Sequence, residues 1–199
     1  MSELFSIQLQ DQQQSSDGVW LDLPTTTEQV QAALRQIDIS SDNPQGLFIS
    51  GYFAEEEKRF AIPYNMVLAS NVDELNFLAS RLETLSAGER AELNAALQVP
   101  QSELSSIGRI TDFPENVDYY VHLPDVRGPA QLGDYYLNRS GMVDMPEEWK
   151  GGIDTAQFGR YVAQQEQGAF TQYGYLVKSG DEWQKVYEGQ PVPEEYRVL

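Results

Sequence analysis

Carboxylates run along the whole of this chain in nearly even dose, and that distribution restricts its folding more than any motif does. Dividing the 199 residues at 66 and 133 gives 10, 10 and 11 acids against 3, 4 and 6 bases, so the thirds carry −7, −6 and −5. The longest acidic run is Glu55-Glu56-Glu57, and Lys58-Arg59 follows it at once. No acidic tail collects the excess, so the charge must sit on folded structure, where self-repulsion opposes compaction. Against that repulsion stand 41% hydrophobic residues, with Leu, Ile, Val, Tyr and Phe recurring throughout. They suffice for at least one core, in a length that suits one large domain or two to three small ones.

The total of −18 excludes several roles. Affinity for DNA comes mainly from Lys and Arg displacing counterions from phosphates, so this chain repels nucleic acid. Anionic membrane surfaces are excluded by the same sign. No apolar run approaches the ~20 residues that span a bilayer, and Met1 to Asp11 holds acids but no basic start of a signal peptide. The absence of Cys removes disulfides, thiol catalysis and Cys-based zinc sites together. A soluble cytoplasmic protein is expected. Composition leaves three accounts of the charge open: a solubilising or halophilic surface, with four Lys against nine Arg; cation binding by carboxylate clusters; or imitation of a polyanion.

Periodicity predicts an α+β chain. Leu4–Leu9 and Val19–Leu23 read as strands, and Pro24 ends the second. Thr25 with Glu28 reads as a capping box before Val30, Ala33, Leu34 and Ile37 at helical spacing. Leu47–Phe53 reads as a third strand after the turn residues 42–46. Asn71 with Glu74 opens a helix striped by Leu75, Leu78, Ala79, Leu82 and Leu85. Ser86 with Glu89 opens a second, carrying Leu93, Ala96 and Leu97, and Ser102 is expected to cap a third. Beyond them, 117–123 suits a strand, 130–139 a helix ended by Gly141, and Asp154 or Thr155 the start of another helix. A hairpin is expected from Ala169–Val177 through the Ser179-Gly180-Asp181 turn to Trp183–Tyr187, followed by a loosely held tail. The expected division is a small α+β domain over 1–62, a helical domain over 63–108 and an α+β domain over 109–199.

Motifs of catalysis are missing. His122 is the only imidazole and falls in a Tyr/Val strand, where it reads as a structural or surface residue. There is no Gly-x-Ser-x-Gly elbow, no EF-hand loop, no Gly-x-Gly-x-x-Gly and no Gly-Lys-Ser/Thr. Paired carboxylates carry no signal where 31 are available. No catalytic residue, metal ligand or cofactor is assigned. Asp73, Glu74, Glu83, Glu89 and Glu92 lie between the apolar stripe positions and are expected to point outward. Glu74 and Glu89 also suit the first turn of their helices.

Several fragments stand in a telling order: Trp20 before Leu23-Pro24, Ile49–Tyr52 before acids, Leu75-Asn76-x-Leu78-Ala79, and Glu103-Leu104 through Asp118-Tyr119. Leu132-Gly133-Asp134-Tyr135-Tyr136, Ile153-Asp154-x-x-x-Phe158-Gly159-Arg160, Gly168-x-Phe170 and Gly174-Tyr175 follow. Over about residues 4–177 the chain resembles the ArdA-type antirestriction proteins of conjugative plasmids and transposons. It departs from them at Tyr161, where an acid is expected, and in an extended 124–131 segment and the tail from Lys178.

The resemblance implies an elongated, curved homodimer of small domains in series that mimics B-form DNA. Such a dimer fills the DNA groove of type I restriction–modification enzymes, at the methyltransferase core and specificity subunit. It implies no enzymatic activity and no cofactor. The mimic acids are then expected among Glu55, Glu56, Glu57, Asp73, Glu74, Glu83, Glu89, Glu92, Glu103, Asp112, Glu115 and Asp118. The family's antirestriction segment maps to Leu132–Gly141, whose Leu132, Tyr135, Tyr136 and Leu137 are expected at a dimer contact. A dimer would hold 62 acids and a net charge of −36, equal to ~105 Å and ~61 Å of duplex at one charge per ~1.7 Å. The alternative is an acidic regulatory protein that binds a basic DNA-binding partner without duplex mimicry.

Overall fold

Alternation decides the first element. In β1 (Phe5–Asp11) Phe5, Ile7 and Leu9 are buried, while Gln8 and Gln10 stay partly exposed on the other face. These positions belong to a computed structural model that describes residues 4–12, 17–40, 44–55, 60–100 and 102–199. The turn expected at 42–46 lies partly outside them. β1 is the centre of an antiparallel sheet of order β2-β1-β3, between β2 (Val19–Leu23) and β3 (Leu47–Phe53). Ile7 stands between Leu21 and Tyr52, and the pairing with β3 shifts at Gln8/Leu9. α1 (Thr27–Gln36) buries Val30, Ala33 and Leu34.

The capping box of α1 forms one residue later than expected. Thr26 Oγ1 accepts from Gln29 N at 3.4 Å, and Gln29 Oε1 accepts from Thr26 N at 3.1 Å. Thr25 is unavailable because its backbone N–H is buried against Asn76 Oδ1 at 2.7 Å. Glu28 becomes a first-turn acid. Its carboxyl lies below the ordinary range through hydrogen bonds from the backbone and the Thr26 hydroxyl.

α2 (Tyr64–Leu68) leads to α3 (Val72–Glu83), where Asn71 and Glu74 form the expected box and Leu75, Leu78 and Leu82 are fully buried. α4 (Ala87–Gln98) follows. α5 (Ile107–Thr111) is capped by Ser106, whose hydroxyl accepts from Arg109 N at 3.2 Å; the expectation of Ser102 is corrected.

The described residues gather into two compact units, one within 1–86, 103–115 and 184–199, the other within 87–102 and 116–183. These limits differ from the 1–62, 63–108 and 109–199 division: α3 falls in the first unit and α4 in the second. The tail is not loose. Phe77 of α3 lies 4.9 Å from the Tyr187 ring and 4.7 Å from the Tyr196 ring, and Asn76 Nδ2 donates to the Tyr196 carbonyl at 3.0 Å. Residues 183–187 are not a strand; the hairpin is β5 (Ala169–Thr171) with β6 (Gly174–Lys178).

In the second unit β6 is central, in the antiparallel order β4-β6-β5 with β4 (Tyr120–Leu123), and α4 lies against β6. α6 (Pro129–Asp134) continues into a π-helical turn, Tyr135–Arg139; α7 (Glu147–Lys150) follows, then α8 (Thr155–Glu166), capped by Asp154. α6 and α8 approach until backbones touch. A Cβ on Gly133 would lie 1.9 Å from the Thr155 carbonyl oxygen, and one on Gly159 1.8 Å from that of Pro129. Val126, Leu132, Ala163 and Tyr175 form the core. Among the described residues the architecture is α+β, with eight α-helices and two three-stranded antiparallel sheets.

Candidate functional site

The acids read from the sequence divide by their surroundings. Glu55, Glu74, Glu115 and Asp118 are exposed, while Glu56 and Glu57 lie outside the described residues. Glu74 also closes its capping box, taking Asn71 N at 3.4 Å, and Glu115 pairs with Arg81 at 2.5 Å. Glu83 and Glu89 are half-buried. Glu103 is half-buried and joins Glu188 around one guanidinium: Arg109 Nη1 lies 2.5 Å from Glu103 and its Nε 2.9 Å from Glu188. The Arg109 hydrogen bond holds the Glu188 carboxyl below the usual range.

Two acids expected outside work inside. Asp112 is fully buried and accepts from Tyr187 N at 2.6 Å and Glu188 N at 3.3 Å. Asp73 is half-buried, and its Oδ1 accepts from Val198 N at 2.7 Å and Leu199 N at 3.0 Å. Both carboxylates satisfy backbone N–H groups of the C-terminal segment, which would otherwise be stranded on docking. Asp112, at 0% exposure, presents no surface to a partner.

Glu92 differs again. Its Oε1 is shielded from solvent with no hydrogen-bond partner among the described residues. Burial, reinforced by Glu89 and Asp118, raises its pKa to about 8. At neutral pH it is mainly protonated and contributes little negative charge.

The structure reveals exposed acids that the 55–118 window omits. Asp17, Asp22, Glu28, Asp38, Glu194 and Glu195 are exposed on the first unit; Asp125, Asp144, Glu147, Glu148, Asp154, Asp181 and Glu182 on the second. One signal for Asp22 was present in the sequence: it alternates with Leu21 and Leu23, which face the core.

In the segment Leu132–Gly141, Leu132, Gly133 and Leu137 are buried in the second unit, while Asn138, Arg139 and Gly141 are exposed. Leu132 is 0% and Leu137 3% exposed. Tyr136 donates its hydroxyl to Glu166, which also accepts from Tyr175 at 3.0 Å. Burial first, then that shared carboxylate, pushes both phenols above the ordinary tyrosine range. Tyr135 is half-buried, its ring 5.5 Å from that of Tyr136. Leu132 and Leu137 therefore present no surface to a second copy, while Met142, just past the segment, is 74% exposed. His122 sits in β4 with Nε2 2.9 Å from the Tyr173 carbonyl.

Among the described residues no three His, Asp or Glu side chains converge as a metal site, and no helix is long and apolar enough to cross a membrane. What the fold and its surface define is an acidic α+β protein whose exposed carboxylates stand on both compact units. The chain belongs to the ArdA antirestriction family: the model of that family, described as "Antirestriction protein (ArdA)", matches residues 14–177. The family consists of inhibitor proteins rather than a known class of enzymes. Comparison with curated proteins gives no match.

Proposed function

We propose that this protein protects incoming mobile DNA by standing in for the duplex in type I restriction–modification enzymes. Its exposed carboxylates occupy the cationic surface that the methyltransferase core and specificity subunit offer to DNA. The observation that carries this reading is the placement of exposed acids on both units, on helices and strands and in the turns between them, in a family of antirestriction proteins. Carboxylates held on a rigid scaffold meet Arg and Lys as phosphates do, including bidentate pairing with Arg. Of the acids read from the sequence, Glu55, Glu74, Glu115 and Asp118 serve this role; Asp73, Asp112 and Glu92 do not. The working form is a cytoplasmic homodimer that meets through the surface flanking Tyr135 and Met142. No base edges are presented, so inhibition does not depend on recognition sequence.

Competition tests this. Purified protein titrated at fixed salt into a type I methyltransferase bound to labelled duplex is expected to displace the DNA stoichiometrically, whatever the DNA sequence. No displacement across several type I enzymes would favour an acidic regulatory protein with another basic partner.

A further inference from the structure

Alternation in β2 puts Leu21 and Leu23 into the core and leaves Trp20 and Asp22 on the outer face of the N-terminal sheet. Trp20 stands opposite Gln8, which stands opposite Gly51. The indole crosses β1 until its Cη2 lies 3.1 Å from where Gly51 would carry a Cβ. Gly51 is thus the gap that seats the ring, and Trp20 is still 49% exposed. Phe48 and Phe53 on β3 are 37% and 56% exposed. A held aromatic platform on a surface is unusual in a chain that must stay soluble, and aromatic anchors of this kind mark interfaces.

Charge selects the occupant. The three strands carry Asp11 and Asp22 and no Lys or Arg. Asp22 Oδ1 takes the Ser6 hydroxyl at 2.8 Å, which fixes the carboxylate beside the indole. Against the edge of β2, Trp20, Asp22, Gln29 and Gln36 line a cavity of about 210 Å³, room for one long side chain. A second copy would bring two acidic faces together, and a nucleic acid would bring phosphates to Asp22. A cation satisfies both groups at once: a guanidinium stacks on the indole face and pairs with a carboxylate two residues along the strand. Arginine suits the site better than lysine because its planar fork does both. We propose that the Trp20/Asp22 edge receives an arginine side chain of the protein's target. This rests on the reading above, in which that target exposes a cationic DNA-binding surface.

Two measurements test it. Protein labelled with ¹⁵N-Trp is titrated with an octa-arginine peptide, the Trp20 indole signal being assigned by its loss in Trp20→Phe. The Trp20 signal is expected to respond at ~5-fold lower peptide than that of Trp149, which is 66% exposed and serves as an internal control, and Asp22→Asn is expected to remove the difference. Equal response of the two indoles overturns the site. In the methyltransferase competition, Trp20→Ala is expected to weaken displacement ~10-fold and Asp22→Asn ~3-fold or more, with Trp20→Phe within ~3-fold of wild type. Wild-type displacement that both Trp20→Ala and Asp22→Asn retain overturns the site and leaves the proposed function standing. A selective peptide response without displacement by wild type overturns the proposed function and supports the site. Conversion of a dimer to monomer by Trp20→Ala would assign the face to a second copy, against the proposal. Should Trp20→Ala fail to fold, Asp22→Asn and the peptide titration decide.

Discussion

Single carboxylates in this protein serve opposite ends depending on a few ångströms of surroundings. Asp112 is buried where two backbone N–H groups meet its carboxyl oxygens, whereas Glu92 meets none at Oε1 and burial raises its pKa to about 8. The sign of the pH dependence follows. A carboxyl whose folded pKa is raised from 4.5 to about 8 binds its proton more tightly folded than unfolded. Its contribution is fully present below pH ~4.5 and is lost as pH rises toward ~8. Glu92→Gln mimics the protonated form, so it is expected to leave the melting temperature unchanged at pH 5 and to raise it by ~2 °C or more at pH 8.5. Thermal melts of both proteins at the two pH values check this; an equal shift at both would mean that the charge on Glu92 is immaterial.

At the level of elements, the α6–α8 contact shows what a fragment such as Phe158-Gly159-Arg160 is for. A methyl at Gly159 would drive into the Pro129 carbonyl, a backbone atom that moves only if the helices part. Gly159→Ala is expected to destabilise the second unit by ~3 kcal/mol or more in urea unfolding. Gly151→Ala, where nothing lies within 4 Å, should change stability by ~0.5 kcal/mol or less. The sequence exposed the glycines but not their purpose, because spacing does not say which backbone crosses which. Elements whose signal is local were legible: the alternation of β1, the Leu75/Leu78/Leu82 stripe and the Asn71/Glu74 box all stand where periodicity puts them. Features that depend on distant chain were not. Trp183–Tyr187 reads as a strand until Phe77 and Asp112, far back in the sequence, hold Tyr187. The candidate site divides likewise: Glu74 is exposed as the helical pattern implies, whereas Asp73 and Asp112 are claimed by the C-terminal segment.

For the whole molecule the net charge of −18 opposes the folded state wherever its carboxylates outnumber nearby bases. Screening acts on both sides of that balance. It weakens ion pairs such as Arg81–Glu115 and Arg109–Glu103, but partly exposed pairs contribute only ~0–1 kcal/mol each. Repulsion among exposed acids acts over longer distances and is the larger sum, because the bases number 13 against 31 acids. The Debye length falls from ~30 Å at 0.01 M salt to ~10 Å at 0.1 M, so repulsion between elements is damped before direct ion pairs are lost. The melting temperature at pH 7 is therefore expected to rise by several degrees, ~3 °C or more, between 10 and 150 mM NaCl. Chloride is the right anion, since sulfate strengthens apolar burial by itself and would mimic the effect. A flat or falling curve would mean that the carboxylates are compensated within the fold, leaving too little uncompensated charge to stand in for a duplex.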